Sequence, residues 1–225
     1  DFENKLKDFL NVKNIIAVNS GTSSIIISLL ALDIKGDEYV VVPRLTFWAT
    51  YQAVKLLGKK VILVDVDSNY QLDNNLLEKI IEKYNVKVVL TVNLYGLISE
   101  NFDELKIICK KNNIILVEDS SQAFGTRYTD KNILTESYIS CVSMFPTKIY
   151  GSCGNSGFIV TSDNILASKM KSLRDNGRID TRYDHYMVGG NFVLDSLNCL
   201  YNINKLKYME DIISNTSYKY KIYNN

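Results

Sequence analysis

The chain has 225 residues, 46% hydrophobic and 23% charged, which is enough to bury the core of one domain with an appendage. Its 26 basic and 25 acidic residues leave a net charge of +1, which excludes a global basic footprint for nucleic acid. No apolar run is long enough to span a bilayer, and the opening residues do not read as a signal peptide.

Cys109, Cys141, Cys153 and Cys199 lie far apart with no CxxC pair. That argues against a zinc ribbon or a disulfide scaffold, and for reduced thiols in a cytoplasmic protein with no metal site. The opening DFENKLKDFL already carries an amphipathic pattern. Apolar, β-branched runs then alternate with helical periodicity. The pattern predicts strands at 15–18, 39–42, 61–64, 86–92 and 114–117, the last ending at Glu118-Asp119. Helices are predicted at 23–32, 46–57, 74–84 and 102–112. The strands are apolar without alternation, as in strands covered on both sides. The expected fold class is α/β, a mostly parallel sheet with helices on both faces.

Beyond residue 137 the pattern changes. Two strands, at 138–144 and 158–161, are separated by FPTKIYGSCGNSG, too long and glycine-rich for a tight hairpin and read as a functional loop. A helix follows at 163–174 with Asp163 near its cap, then an irregular stretch to 190, then one long amphipathic helix at 195–213. Ligands of open α/β sheets sit beyond the C-terminal strand ends. The polar clusters at 19–24, 43–46, 93–96, 118–122 and 143–148 follow strands, so the fold would gather all five at one rim.

Four features at that rim carry chemistry. In NSGTSS (19–24), Gly21 permits a tight turn, and the free amides of a helix start make a phosphate cradle; a simple Ser/Thr cap fits the residues equally well. In VEDSSQAFG (117–125), Asp119 ends a buried strand, either as a turn residue or as a carboxylate holding a proton on a heteroaromatic nitrogen. In SMFPTKIYG (143–151), Lys148 is either a surface charge or a Schiff-base lysine, and Phe145, Pro146 and Tyr150 give it an unusually apolar setting. In TFWAT (46–50), one of two adjacent aromatics could stack on a planar cofactor rather than fill the core.

Cradle, aromatic, acid and lysine in that order resemble the fold-type-I pyridoxal-phosphate (PLP) enzymes, and more narrowly the DegT/DnrJ/EryC1/StrS sugar aminotransferase family. The similarity runs through NSGTSSIIISLLAL, VVVPRLTFWAT, LTVNLYGL, ILVEDSSQAFG and MFPTKIYGSCGNSGFIVT to YDHYMVGGNFVLDSLNCLYNINKLKYME. The resemblance implies that Lys148 holds the cofactor and that Asp119 partners its ring nitrogen. It implies that Gln122 contacts the ring-hydroxyl side and that Phe47 stacks on the ring. Gly21, Thr22 and Ser143 would contact the phosphate, and Asn191 would reach the neighbouring subunit's phosphate in a homodimer. It also implies amino transfer, from glutamate, to a nucleotide-linked keto-sugar in polysaccharide biosynthesis. Residues 1–190 would form the PLP-binding large domain. Residues 191–225 would form a long helix leading towards a C-terminal small domain outside this chain, which therefore reads as part of a longer protein.

The chain departs from the family pattern in places. Ile149 follows the lysine where Asn is usual, and Val193 stands where Arg is expected. Gly154-Asn155-Ser156-Gly157 replaces an acidic Gly-Glu/Asp-Gly-Gly, and Asp175-Asn176-Gly177 replaces NHG. These changes leave a second function class open, an inactive relative that binds PLP or a partner and regulates. An NAD-binding Rossmann protein is disfavoured, because no GxGxxG follows the first strand. His185 reads as structural.

Overall fold

The computed structural model describes residues 1–179 and 183–223. The chain begins with α1 (Phe2–Leu10) and then alternates strand and helix: β1 (Asn14–Val18), α2 (Gly21–Ala31), β2 (Tyr39–Pro43), α3 (Trp48–Leu56), β3 (Lys60–Val64), α4 (Asn74–Ile81), β4 (Val86–Val92), α5 (Phe102–Lys111) and β5 (Ile115–Asp119). A short hairpin of β6 (Arg127–Tyr128) and β7 (Lys131–Asn132) precedes β8 (Ile139–Ser143), β9 (Gly157–Thr161), α6 (Asn164–Arg174), α7 (Ser196–Leu206) and α8 (Met209–Tyr223).

Seven strands form one sheet in the order β1-β9-β8-β5-β4-β2-β3. All pairs are parallel except the two made by β9, which runs antiparallel between β1 and β8. Successive side chains of a strand face opposite ways, so each strand feeds two cores. Val40, Val42, Val88, Leu90 and Val117 pack with α2, α3 and α6 on one face. Val41, Val89 and Leu116 pack with α1, α4 and α5 on the other. Coverage on both faces explains why β4 is buried almost throughout and reads as an unbroken apolar run.

Helix starts are set by side-chain caps, each worth about 1 kcal/mol. Asp73 accepts from the amides of Asn75 and Leu76, and Asp163 from those of Ile165 and Leu166. The main-sheet strand ends fall within a residue or two of the sequence-based expectation.

The long helix expected over 195–213 is two helices, broken at Lys207–Tyr208. Tyr208 donates to the Lys205 carbonyl across 2.9 Å in a tightened last turn, and the bend turns Met209 fully into the core while Tyr208 stays exposed. The segment before it returns to the sheet: Val193 bridges Val18, and the Asn19 amide donates to the Phe192 carbonyl at 2.9 Å.

Candidate active site

The C-terminal ends of β1, β4, β5 and β8, with the start of α3, enclose a cavity of about 320 Å³, inside the range of small-molecule sites, about 300–1,000 Å³. Gly21, Thr22, Phe47, Asp119, Gln122, Ser143 and Lys148 all line it. Of the five polar clusters, four reach it directly. The 43–46 cluster does not, and is represented by its successors Phe47 and Ala49.

The start of α2 forms one wall. Ser20, in extended conformation, caps the helix with its Oγ accepting the Ser23 amide at 3.0 Å, and the Ser23 hydroxyl donates to Asn19 Oδ1 at 2.7 Å. The Ser24 amide goes to the Ser20 carbonyl. Among the described residues the amides of Gly21 and Thr22 find no acceptor, so the cap and the cradle coexist in one motif. Both face the positive end of the α2 dipole. Close packing makes glycine necessary here. A Cβ on Gly21 would stand 2.6 Å from Ser143 Cβ, and one on Gly157 would stand 2.6 Å from the Ser20 carbonyl.

Asp119 is the last residue of β5 and is 5% exposed. Its Oδ2 accepts the Thr50 hydroxyl at 2.8 Å and its Oδ1 the Ser121 amide at 3.1 Å. The Thr50 and Thr46 hydroxyls lie 2.9 Å apart. Because Thr50 spends its proton on the carboxylate, Thr46 must donate to Thr50, giving a directed chain from the α3 start to Asp119. Sequence reading missed Thr50; its i+4 spacing from Thr46 on a helix that begins at the rim was the available signal.

Glu118 faces the opposite side of the sheet and is fully buried. Asn93 Nδ2 donates to its Oε1 at 2.8 Å and to Ser120 Oγ at 3.1 Å, and the Ser140 hydroxyl lies 3.4 Å from its Oε2. Burial pushes the Glu118 carboxyl up to about 7, against the pull of these donors. Asn93, in turn, lines the cavity.

Lys148 sits half-buried in a turn after β8, its amide donating to the Phe145 carbonyl at 2.8 Å. The loop folds back so sharply that a Cβ on Gly151 would lie 2.2 Å from the Pro146 carbonyl oxygen. α7 holds the loop's far side: the Tyr150 hydroxyl donates to the Asn202 carbonyl at 2.9 Å, Ser152 donates to Asn198 Oδ1 at 2.7 Å, and Lys205 donates to the Gly151 carbonyl. The expected apolar setting of Lys148 is only partly present. Tyr150 is fully buried, but Phe145 and Pro146 are exposed, and of these two only Phe145 lines the cavity.

Asn191 does not line the cavity. Its side chain is exposed, and its backbone bridges Asp175 and accepts from Asn19 Nδ2 at 3.5 Å. His185 is exposed too, its Nδ1 2.8 Å from the Asn176 carbonyl, away from the cavity. Among the described residues no cluster could hold a metal ion, and no helix is long and apolar enough to cross a membrane.

A strand-end cavity lined by a helix N-terminus, a buried acid and a lysine, on this mostly parallel sheet, marks the large domain of a fold-type-I transferase. The chain belongs to the DegT/DnrJ/EryC1/StrS aminotransferase family, whose pattern matches residues 1–225. A Pseudomonas aeruginosa relative described as UDP-2-acetamido-2-deoxy-3-oxo-D-glucuronate aminotransferase is 36% identical over 95% of this chain and 59% of its own length. A Brucella abortus aminotransferase of the family superposes with a TM-score of 0.88 at 29% identity, over 93% of this chain and 58% of that one. A Bacillus subtilis structure with bound cofactor PMP gives 0.86 at 29% identity, over 92% of this chain and 47% of that one. The chain thus spans about half the length of the relatives it matches.

Proposed function

We propose that this chain is the cofactor-binding part of a PLP-dependent sugar aminotransferase, which takes an amino group from glutamate and places it on a nucleotide-linked keto-sugar. The observation that carries the reading is one cavity lined by the α2 start, Phe47, Asp119 and Lys148. The names of relatives favour a nucleotide-sugar substrate.

The residues fit the cofactor. The unengaged Gly21 and Thr22 amides suit a phosphate, and the glycine contacts with Ser143 and Ser20 keep side chains out of that space. Asp119, oriented by Thr50 and Ser121, would accept a hydrogen bond from a protonated ring nitrogen. Phe47 and Gln122 both line the cavity, where Phe47 would offer a face to the ring and Gln122 would serve its hydroxyl side. When bound, PLP supplies the electron sink that makes cleavage of a Cα–H bond feasible. Lys148 Nζ is the amine that would hold the cofactor covalently and would move the proton at the substrate Cα. Ile25, Val92 and Leu94 give the cavity apolar lining that would keep water from the bound group. The reading extends to a homodimer in the cytoplasm, with the exposed Asn191 serving the neighbouring subunit's site.

The test uses the full-length protein. Borohydride reduction of the yellow holoenzyme is expected to leave the cofactor on the peptide containing Lys148. Lys148→Ala is expected to lose both that label and amino transfer to keto-sugar nucleotides. A label on another lysine, or full turnover in the variant, would overturn the assignment.

A further inference from the structure

Ser156 stands in the loop that closes against the α2 start, and the proposed function gives it no task. It is 1% exposed, and its Oγ has no hydrogen-bond partner among the described residues. The backbone around it is fixed: its carbonyl accepts the Met144 amide at 2.8 Å, and the adjoining Gly157 packs on Ser20 and Gly21. Ser156 also lines the cavity beside Gly21 and Thr22. A buried hydroxyl left unpaired is costly, whereas the same hydroxyl pointed at an anion makes a strong, charge-assisted bond. The first turn of the 11-residue α2 already offers two unengaged amides at this spot.

We propose that the Ser156 hydroxyl is a further donor to the phosphate monoester held at the α2 N-terminus, beside Gly21, Thr22 and Ser143, added at a position where the family pattern carries glycine. The inference rests on the PLP reading for the identity of the phosphate, but not for its presence. Gly21, Thr22 and Ser156 line the same end of the cavity, where a monoester would present its outer oxygens. Ser172 Oγ is also buried and unpaired, but among the described residues only Ser156 combines that with a place in the cavity lining.

The test compares full-length wild type with S156A and S156G, stripped of cofactor. Three probes are titrated: PLP, pyridoxal without its phosphate, and inorganic phosphate as a competitor. Removing the hydroxyl is expected to weaken PLP roughly tenfold or more, the scale of one hydrogen bond to a charged acceptor. Inorganic phosphate should weaken in parallel, and pyridoxal should be unchanged. The cofactor-free variants should melt no lower than wild type, because no paired group is lost. Unchanged PLP and phosphate affinities would overturn the proposal. So would equal weakening of PLP and pyridoxal, which points to a disturbed fold. If wild type binds phosphate through Ser156 yet shows no PLP band, the Ser156 assignment stands and the cofactor reading fails.

Discussion

The backbone amide of Tyr95 donates to Oε1 of Gln122 across 2.5 Å. A backbone N–H can only donate, so the oxygen of the Gln122 amide must face Tyr95, and Nε2 is left as the donor of a residue that lines the cavity. Local backbone geometry makes the contact. Tyr95 is left-handed at φ 58 and Gly96 follows at φ 76, with the Gln122 carbonyl 3.0 Å from where a Gly96 Cβ would be. A strained turn at the end of β4 thereby sets the polarity of a side chain on the next strand's loop.

Gln122→Glu should separate that polarity from mere bulk. A carboxylate still accepts the Tyr95 amide, so the fold should hold and the melting temperature should stay close to wild type. The donor side becomes an acceptor, so amino transfer by the full-length enzyme should fall roughly tenfold or more, with a shifted cofactor absorbance band. An unshifted band with normal turnover would show that Gln122 Nε2 does not meet the cofactor.

Thr50 and Asp119 call for paired variants. Thr50→Val keeps the shape and removes the donor to Oδ2, leaving the carboxylate oriented by the Ser121 amide alone. Cofactor should remain bound, kcat should drop about threefold to tenfold, and KM should stay nearly constant; Thr50→Ser should recover most of the loss. Asp119→Asn should retain cofactor and lose most turnover, because a neutral amide no longer holds the ring-nitrogen proton. A Thr50→Val enzyme indistinguishable from wild type in kcat and in visible circular dichroism would remove Thr50 from the account.

Much of this site could be read from the chain, because Gly21, Asp119 and Ser143 each lie at or just past the end of a strand that the β-branched runs announce. Thr22, Gln122 and Lys148 follow within a few residues. What could not be read depends on contacts between segments. Thr50 looks like any helical threonine until β5 brings Asp119 beside it. Ser156 registers in the sequence only as a departure from glycine, since its lack of a partner is a property of the packed loop. The β6–β7 hairpin escaped notice because its turn uses Thr129 and Asp130 at φ 44 and φ 66, without the glycine that signals such turns. The helix break at Lys207–Tyr208 has neither glycine nor proline and follows from burying Met209.

Glu118 should give stability a pH dependence of definite sign. Its carboxyl moves from 4.5 in the unfolded chain to about 7 when folded, through burial. The folded state therefore binds a proton that the unfolded state has released between those values. The associated stability is fully present below about 4.5 and is lost as pH rises through about 7, on the order of 3 kcal/mol in all. Glu118→Gln keeps an acceptor for Asn93 but cannot ionise. Its denaturation midpoint should vary less between pH 5 and 8 than that of wild type, and should exceed it at pH 8. Parallel pH profiles for the two proteins would mean that Glu118 does not titrate in this range.

Asn191 supplies the test of shared sites. Its side chain is exposed and lies outside the cavity of its own chain, and among the described residues its contacts are those of its backbone with Asp175 and Asn19. A residue so placed can serve a second subunit related by a two-fold axis, where each chain would lend its Asn191 to the other's phosphate. Full-length Lys148→Ala and Asn191→Ala chains are each expected to be impaired. In a mixed dimer one site would carry both defects and the other neither, so mixing should restore part of the activity. Random pairing makes half of the dimers hybrids when the two chains are equal in amount, and each hybrid has one intact site of two. Recovery should therefore approach roughly a quarter of wild-type turnover. If Asn191 acts only within its own chain, every site in the mixture keeps one defect and no activity returns.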